Sequence, residues 1–172
     1  MNTLDGRESS LTLRPTTLTD LSFVIEAERH PENASYIGQW NEARHAAAIS
    51  SQDEAHFILE VESQLGGYLI LTGLRDPHFA IHLQRIVVLD KGKGYGRQAL
   101  RWVKAYAFEV LGFHRLWFDV IASNEKAKSL YLDEGFIVEG KMRDGWKIEN
   151  RYEDLILLSM LQSEYMFQSD VP

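Results

Sequence analysis

The segment Ile86-Val87-Val88-Leu89-Asp90-Lys91-Gly92-Lys93-Gly94-Tyr95-Gly96-Arg97 is where residue type and spacing most directly imply chemistry. An apolar run enters three alternating glycines, and a helix-forming stretch follows. Glycines let the backbone turn with its N–H groups aimed into one space and no Cβ atoms in the way. The first turn of a helix adds unpaired N–H donors and a positive dipole end, worth up to about 2 kcal/mol for each anion contact. Lys91, Lys93 and Arg97 bring positive charge to the same corner. These features describe a cradle for a phosphate-bearing ligand. The plainer reading is a glycine-rich turn with solvated lysines, and the strand–turn–helix context favours the cradle. Two common phosphate motifs do not match. The dinucleotide fingerprint needs glycine at its first, third and sixth positions, and here Arg97 occupies the sixth. The nucleotide P-loop needs Gly-Lys followed by Ser or Thr, and Gly94 follows Gly92-Lys93.

A second segment runs from Asn124 through Glu125, Lys128 and Tyr131 to Gly135-Phe136. In this order and at this distance the two segments resemble the GNAT superfamily of N-acetyltransferases. That family's pyrophosphate signature is Gln or Arg, two residues, Gly, one residue, then Gly or Ala; Lys91, Gly94 and Gly96 fall on it, with Lys91 a departure. The resemblance implies acetyl-coenzyme A as co-substrate. The backbone of Gly92, Lys93, Gly94, Tyr95, Gly96 and Arg97 would hold its pyrophosphate, with Lys91, Asn124 and Lys128 alongside. Ile86, Val87 and Val88 would line the pantetheine arm, which pairs there like an added strand. The resemblance spans Leu11 to Leu161, although only Ile86 to Phe136 carries diagnostic residues. Gly140, Arg143 and the last strand are similar to the branch containing ribosomal-protein N-terminal and polyamine acetyltransferases.

Acetyl transfer requires the acceptor amine to lose a proton and attack the thioester, after which the coenzyme A thiolate leaves. A tyrosine hydroxyl, with an ordinary pKa of about 10, is protonated at neutral pH and can donate to that thiolate. Tyr131 matches the family's acid, and its spacing with Ala127, Leu130 and Glu134 also suits a plain core tyrosine. His82 precedes Val88 by the interval at which some members place a catalytic carboxylate, which makes it a candidate base. A lone histidine in a strand is more often structural, and ordered water positioned by Gln84 is the other route. No Gly-x-Ser-x-Gly nucleophile signature is present, so direct transfer is expected. His78 and His82 sit four apart on an expected strand, about 13 Å from one another, and cannot chelate one metal; no metal site is expected.

The resemblance implies an acceptor site formed by the region between the first two strands and by the final hairpin turn. Asp20, Glu26, Glu28, Glu32 and Glu42 outnumber Arg29 and Arg44 there, which favours a cationic amine; a solvated helix face accounts for them equally well. Tyr36, Trp40 and Trp146 line that pocket or fill core. The expected activity is transfer of acetyl to a primary amine of a protein N-terminus, a polyamine or another small molecule. The alternative is a non-catalytic acyl-coenzyme A sensor.

These residues need elements to position them. Leu11 to Pro15 alternates as a strand that Pro15 ends, and Thr19 or Asp20 can cap a helix through Ala27. A short helix is expected from Glu42 to Ser50. His56–Glu62 and Tyr68–Leu74 read as a hairpin turning at Gln64 to Gly67, followed by a strand over Ala80–Leu89. Ile81 and Leu83 are out of phase with Ile86 and Val88, which marks a bulge near Gln84-Arg85 or a strand buried on both faces. Helices over Gly96–Leu111 and Asn124–Glu134 alternate with strands over Leu116–Ile121, Phe136–Met142 and Tyr152–Leu161. The fold class is α/β: a mixed, mostly antiparallel sheet with helices on both faces.

The 172 residues fit one domain, expected over 11–165, with a disordered lead at 1–10 and a C-terminal tail at 166–172. No cysteine is present, which excludes disulfides, thiolate metal sites and a cysteine nucleophile. A net charge of −7 argues against nucleic-acid partners. No run approaches the roughly 20 apolar residues of a membrane helix, and no signal peptide opens the chain, so a cytoplasmic location is expected. Trp102 and Phe108 suit either core or an interface, which leaves a homodimer open.

Overall fold

Three apolar segments, β1 (Leu11–Pro15), β2 (Glu54–Val61) and β3 (Gln64–Thr72), pair antiparallel in sequence order in the computed structural model, which describes residues 11–169. Between β1 and β2 the chain forms helices α1 (Leu21–Arg29), α2 (Pro31–Ala34) and α3 (Glu42–Ser50). Strand β4 (Ala80–Val88) pairs antiparallel with β3, and helix α4 (Tyr95–Ala105) follows, closing in a π-helical turn through Val110. Gly112, at φ +67°, stops it. Then come β5 (Arg115–Ile121), α5 (Glu125–Asp133), β6 (Ile137–Ile148), β7 (Arg151–Leu161) and α6 (Gln162–Ser169). The sheet order is β1-β2-β3-β4-β5-β7-β6, with β4 and β5 parallel and every other pair antiparallel. This is the expected α/β class. The expected lead at 1–10 and the end of the chain at 170–172 lie outside the described residues, and α6 carries helix into the stretch expected as tail.

Apolar residues on the two sheet faces make two cores. Leu59, Leu71, Ile81, Leu116, Phe118 and Leu158 pack against α4 and α5 on one face, where Phe108 is buried and Trp102 packs half-buried. Ile58, Tyr68, Ile70 and Val87 pack against Val24 and Ala27 of α1 on the other. Each large side chain so buried contributes roughly 1.5–3 kcal/mol.

Two differences from the sequence expectation have physical causes. The β2–β3 turn falls at Glu62 and Ser63, both at positive φ, just ahead of the Gln64–Gly67 stretch expected to form it. Gly67 lies inside β3, where a Cβ would stand 2.1 Å from the Val87 carbonyl oxygen, so glycine serves close strand approach there. The β6–β7 strands also run further than expected, to a tight turn around Glu149, which sits at φ +50°.

The bulge is present. Ile70 pairs with Arg85 while Leu71 pairs with Leu83, leaving Gln84 as the extra residue of β4. The extra residue corrects the phase, so that Ile81, Leu83, Ile86 and Val88 all meet the same core. Among the described residues, no helix is long and apolar enough to cross a membrane.

Candidate active site

Helix α4 starts directly after Gly94, which sits in the left-handed region at φ +83°, and Gly92 does the same at φ +82°. A Cβ built on either meets nothing within 4 Å, so the space in front of this corner is open. The Gln98 N–H bonds back to the Gly94 carbonyl at 3.1 Å; the N–H groups of Tyr95, Gly96 and Arg97 occupy the first turn, where the helix supplies no acceptor. Open space, free donors and a dipole end together fit a pyrophosphate.

The side chains around the corner divide. Lys91 Nζ donates to the Glu32 carbonyl at 2.9 Å, and Lys93 is exposed beside Asp90 at 3.1 Å. Tyr95 is buried and offers the cradle only its backbone. Arg97 departs from expectation: its guanidinium turns away to Glu134 at 2.7 Å and Asp133 at 3.1 Å, and only its amide stays at the helix start. Glu134 also accepts from Arg101 at 3.1 Å and from buried Lys104 at 2.9 Å, tying the end of α5 to α4. Burial pushes the Glu134 carboxyl up, but these cations outweigh it and hold it at about 2. Asn124 caps α5, accepting from the Ala127 N–H at 3.2 Å, and Lys128 pairs with Glu125 at 2.7 Å.

Beside the cradle the sheet opens. Strands β4 and β5 pair only at Ala80–Arg115, Ile81–Leu116 and His82–Trp117. Beyond them the strands part, leaving Ile86 and Val88 half-buried along the free side of β4. His82 stands at the last paired position, stacked on Trp117 with ring centroids 4.0 Å apart, its Nδ1 3.3 Å from the Thr72 hydroxyl. Burial lowers its pKa to about 4. It is therefore neutral near pH 7, and too weak a base to hold a proton there.

Tyr131 is 8% exposed and packs on Phe118 with ring centroids 4.4 Å apart. Burial raises its phenol to about 12, helped by the nearby Asp119 carboxylate, so it stays a proton donor across the neutral range. Asp119 lies on β5 past the point of separation. Its side chain reaches solvent, yet desolvation at the seam still pushes its carboxyl above the usual range. Sequence reading missed Asp119, because one acid alternating in an apolar strand looks like an ordinary outward residue.

The loop before α3 also meets the β6–β7 hairpin. A Cβ on Gly38 would lie 3.1 Å from the Trp146 ring and 3.3 Å from Arg85 Nη2. Arg85 pairs with Glu28, which is 1% exposed and also accepts from the Tyr68 hydroxyl at 2.7 Å and the Trp40 N–H at 2.9 Å. His45 Nε2 lies 3.2 Å from the same carboxylate, off a hydrogen-bond axis. Burial pushes the Glu28 carboxyl up, and its contacts with His45, Tyr68, Trp40 and Arg85 outweigh that, leaving it below its ordinary value. Asp20 is likewise buried, bonded to Arg14 and Thr17. Neither acid belongs to a solvated helix face. Trp40 is half-buried with the Arg44 and Arg85 guanidiniums on its ring at 3.8 and 4.1 Å, and Tyr36 is exposed.

Comparison with known proteins agrees with this geometry. Over 174 aligned residues, the spermidine N(1)-acetyltransferase of Escherichia coli (strain K12) is 28% identical, covering 95% of this chain and 92% of that protein. A shorter match of 75 residues, 36% identical, covers 44% of this chain and 41% of YdaF of Bacillus subtilis (strain 168), named as a ribosomal N-acetyltransferase. The spermidine N-acetyltransferase of Vibrio cholerae, solved with CoA and spermine, superposes with a TM-score of 0.82 at 27% identity, covering 91% of this chain and 98% of that one. The same enzyme has been solved as a dodecamer, with a TM-score of 0.80 at 26% identity, covering 93% of this chain and 98% of that one. These relatives are named for catalysis, which sets aside the alternative of a non-catalytic acyl-coenzyme A sensor. With a family model described as the acetyltransferase (GNAT) family matching residues 21–136, the chain belongs to that family and is an N-acetyltransferase that takes its acetyl group from acetyl-coenzyme A.

Proposed function

We propose that this chain acetylates a primary amine of a polyamine of the spermidine or spermine type. The observation that carries the reading is the meeting of three features at one place: the open glycine cradle, the parted β4–β5 seam, and a buried, protonated Tyr131 beside that seam. The backbone from Gly92 to Arg97 holds the pyrophosphate, and Ile86, Val87 and Val88 line the pantetheine arm. Lys91 and Lys93 supply positive charge at the rim; Asn124 and Lys128 stand at the start of α5. Tyr131 gives its proton to the departing thiolate. Asp119 takes the proton of the attacking amine, directly or through water, a role His82 fills poorly with a pKa of about 4. Spermidine and spermine are supported as acceptors by relatives aligned over nearly the whole chain.

A homo-oligomer is part of the reading. The edge strand β6 exposes Ile137, Val138 and Met142, and the dodecamer of the Vibrio cholerae enzyme supports an assembly larger than the homodimer that the sequence left open. The test of activity is release of coenzyme A from acetyl-coenzyme A in the presence of spermidine, spermine, or peptides with free N-termini. A thiol reagent reads that release directly, because the chain itself has no cysteine. Turnover with polyamines above that with peptides supports the reading, and turnover with peptides alone overturns it.

A further inference from the structure

Arg85 is an unusual residue to find beneath an acceptor site for cations. It follows the bulge at Gln84, which turns it onto the face covered by α1 and α3. Its Nη2 lies within 3.3 Å of the Cβ position of Gly38, where the Trp146 ring also arrives at 3.1 Å. The loop before α3 and the β6–β7 hairpin, the two segments that the amine-acceptor reading places around the acceptor, therefore meet beside this guanidinium. Arg85 is 7% exposed, so water and salt screen its charge poorly, and an ammonium group entering the groove feels it.

Glu28 is the carboxylate that answers it. The neighbouring cation Arg44, on the far side of Trp40, is paired with Glu54 at 2.5 Å. His56 is held neutral by burial, at about 4. Tyr68, the Trp40 N–H and Arg85 together keep Glu28 ionised. Stability alone gives little reason for such a pair, since a buried ion pair is often no better than an apolar pair of the same volume.

We propose that Glu28 sets the charge specificity of the acceptor site: by cancelling Arg85 beneath the Gly38–Trp146 contact, it lets the wall receive multiply charged amines that a bare guanidinium would repel. Glu28 does not touch the amine, so it is a positioning and field-setting residue, and the proposal rests on the amine-acceptor reading above.

The test is a series of acceptors of rising charge: propylamine, putrescine, spermidine and spermine. The readout is the ratio of kcat/KM for spermine to that for propylamine. In Glu28→Gln the ratio falls tenfold or more, while the Kd of acetyl-coenzyme A stays within twofold. In Arg85→Gln the ratio rises, because the carboxylate remains without its cation. The double variant, with no charge on either partner, returns to within about threefold of wild type. A purely structural pair would move both single variants in the same direction, and that result, or an unchanged ratio in both, overturns the proposal. If Glu28→Gln does not fold, the rise in Arg85→Gln and the return in the double variant decide the matter. A wild type with no preference for charge refutes the polyamine reading by itself, while opposite shifts in the two variants still uphold the role of Glu28.

Discussion

Replacing Gly94 with alanine separates a ligand cradle from a mere turn, because the structure contains a control for the strain. Gly94 sits at φ +83° and Gly112 at φ +67°, and a Cβ at either meets nothing within 4 Å. Forcing an L-residue into the left-handed region costs about 1–2 kcal/mol, partly offset by the roughly 0.4–1 kcal/mol that alanine gains by restricting the unfolded chain. Both variants should thus lose about 1 kcal/mol, roughly 2–4 °C in Tm for a chain of this size. They differ at the ligand. Gly112 ends the π-helical turn far along the chain from the cradle, whereas the Gly94 Cβ projects into the open space proposed above for the pyrophosphate. Losing one hydrogen bond to a charged group removes about 1.5–3 kcal/mol, which weakens binding by roughly ten- to a hundredfold. Calorimetric titration of acetyl-coenzyme A at fixed ionic strength, beside thermal melts, measures both effects. Equal affinities for Gly94→Ala and Gly112→Ala, at equal loss of Tm, would refute the assignment of the cradle.

Four other outcomes are expected. Tyr131→Phe lowers kcat about tenfold without changing the Kd of acetyl-coenzyme A, and the wild-type rate shows no falling limb from this phenol until the pH nears 12. Asp119→Asn removes the acidic limb of kcat/KM, which in the wild type lies above the ordinary carboxylate range because desolvation raises this group; activity needs its ionised form and so falls as pH drops through that limb. The folded-state pKa of His56 is depressed to about 4 against 6.5, so its contribution to stability is complete above 6.5. That contribution is lost on acidification towards 4, at about 1.4 kcal/mol per pH unit; denaturant melts of His56→Asn should show a shallower slope in this window. Glu134→Gln leaves buried Lys104 short of its counter-ion, a loss of about 3 kcal/mol and roughly 6–12 °C in Tm by calorimetry.

What the sequence disclosed and what it concealed follow the range of the interactions involved. The glycine corner was legible because its parts are contiguous: a strand, three glycines and a helix start within twelve residues. The bulge was legible because it left a local trace, the phase change between Leu83 and Ile86. The direction of the Arg97 guanidinium was not legible because its partner Glu134 lies 37 positions away, and charge next to a glycine corner does not say which way a long side chain turns. The Glu28 cluster joins α1, α3, β3 and β4 across up to 57 positions, so the sequence could not tell Glu28 in an acceptor site from Glu28 on a solvated face. The Gly-Gly pair in β3 resembled a turn because local propensity favours that use, and only the approach of β2 to Gly66 and of β4 to Gly67 shows the real requirement. Asp119 gave no local signal, since its meaning comes from the loss of a neighbour beyond His82–Trp117.

The three-rung joint between β4 and β5 bears on a hazard that sheets usually avoid. A strand with unpaired N–H and C=O groups is a template on which another chain can grow, and outer strands are normally blunted against it. Here the template is internal. The free side of β4 faces β5 across a cleft, with α4 and α5 covering one face and α1 to α3 the other. A foreign strand long enough to pair in register cannot slide in broadside, whereas a slender, flexible arm can thread in end-on. The fold thereby keeps an unpaired strand edge inside the sheet rather than at its rim, where another sheet would meet it.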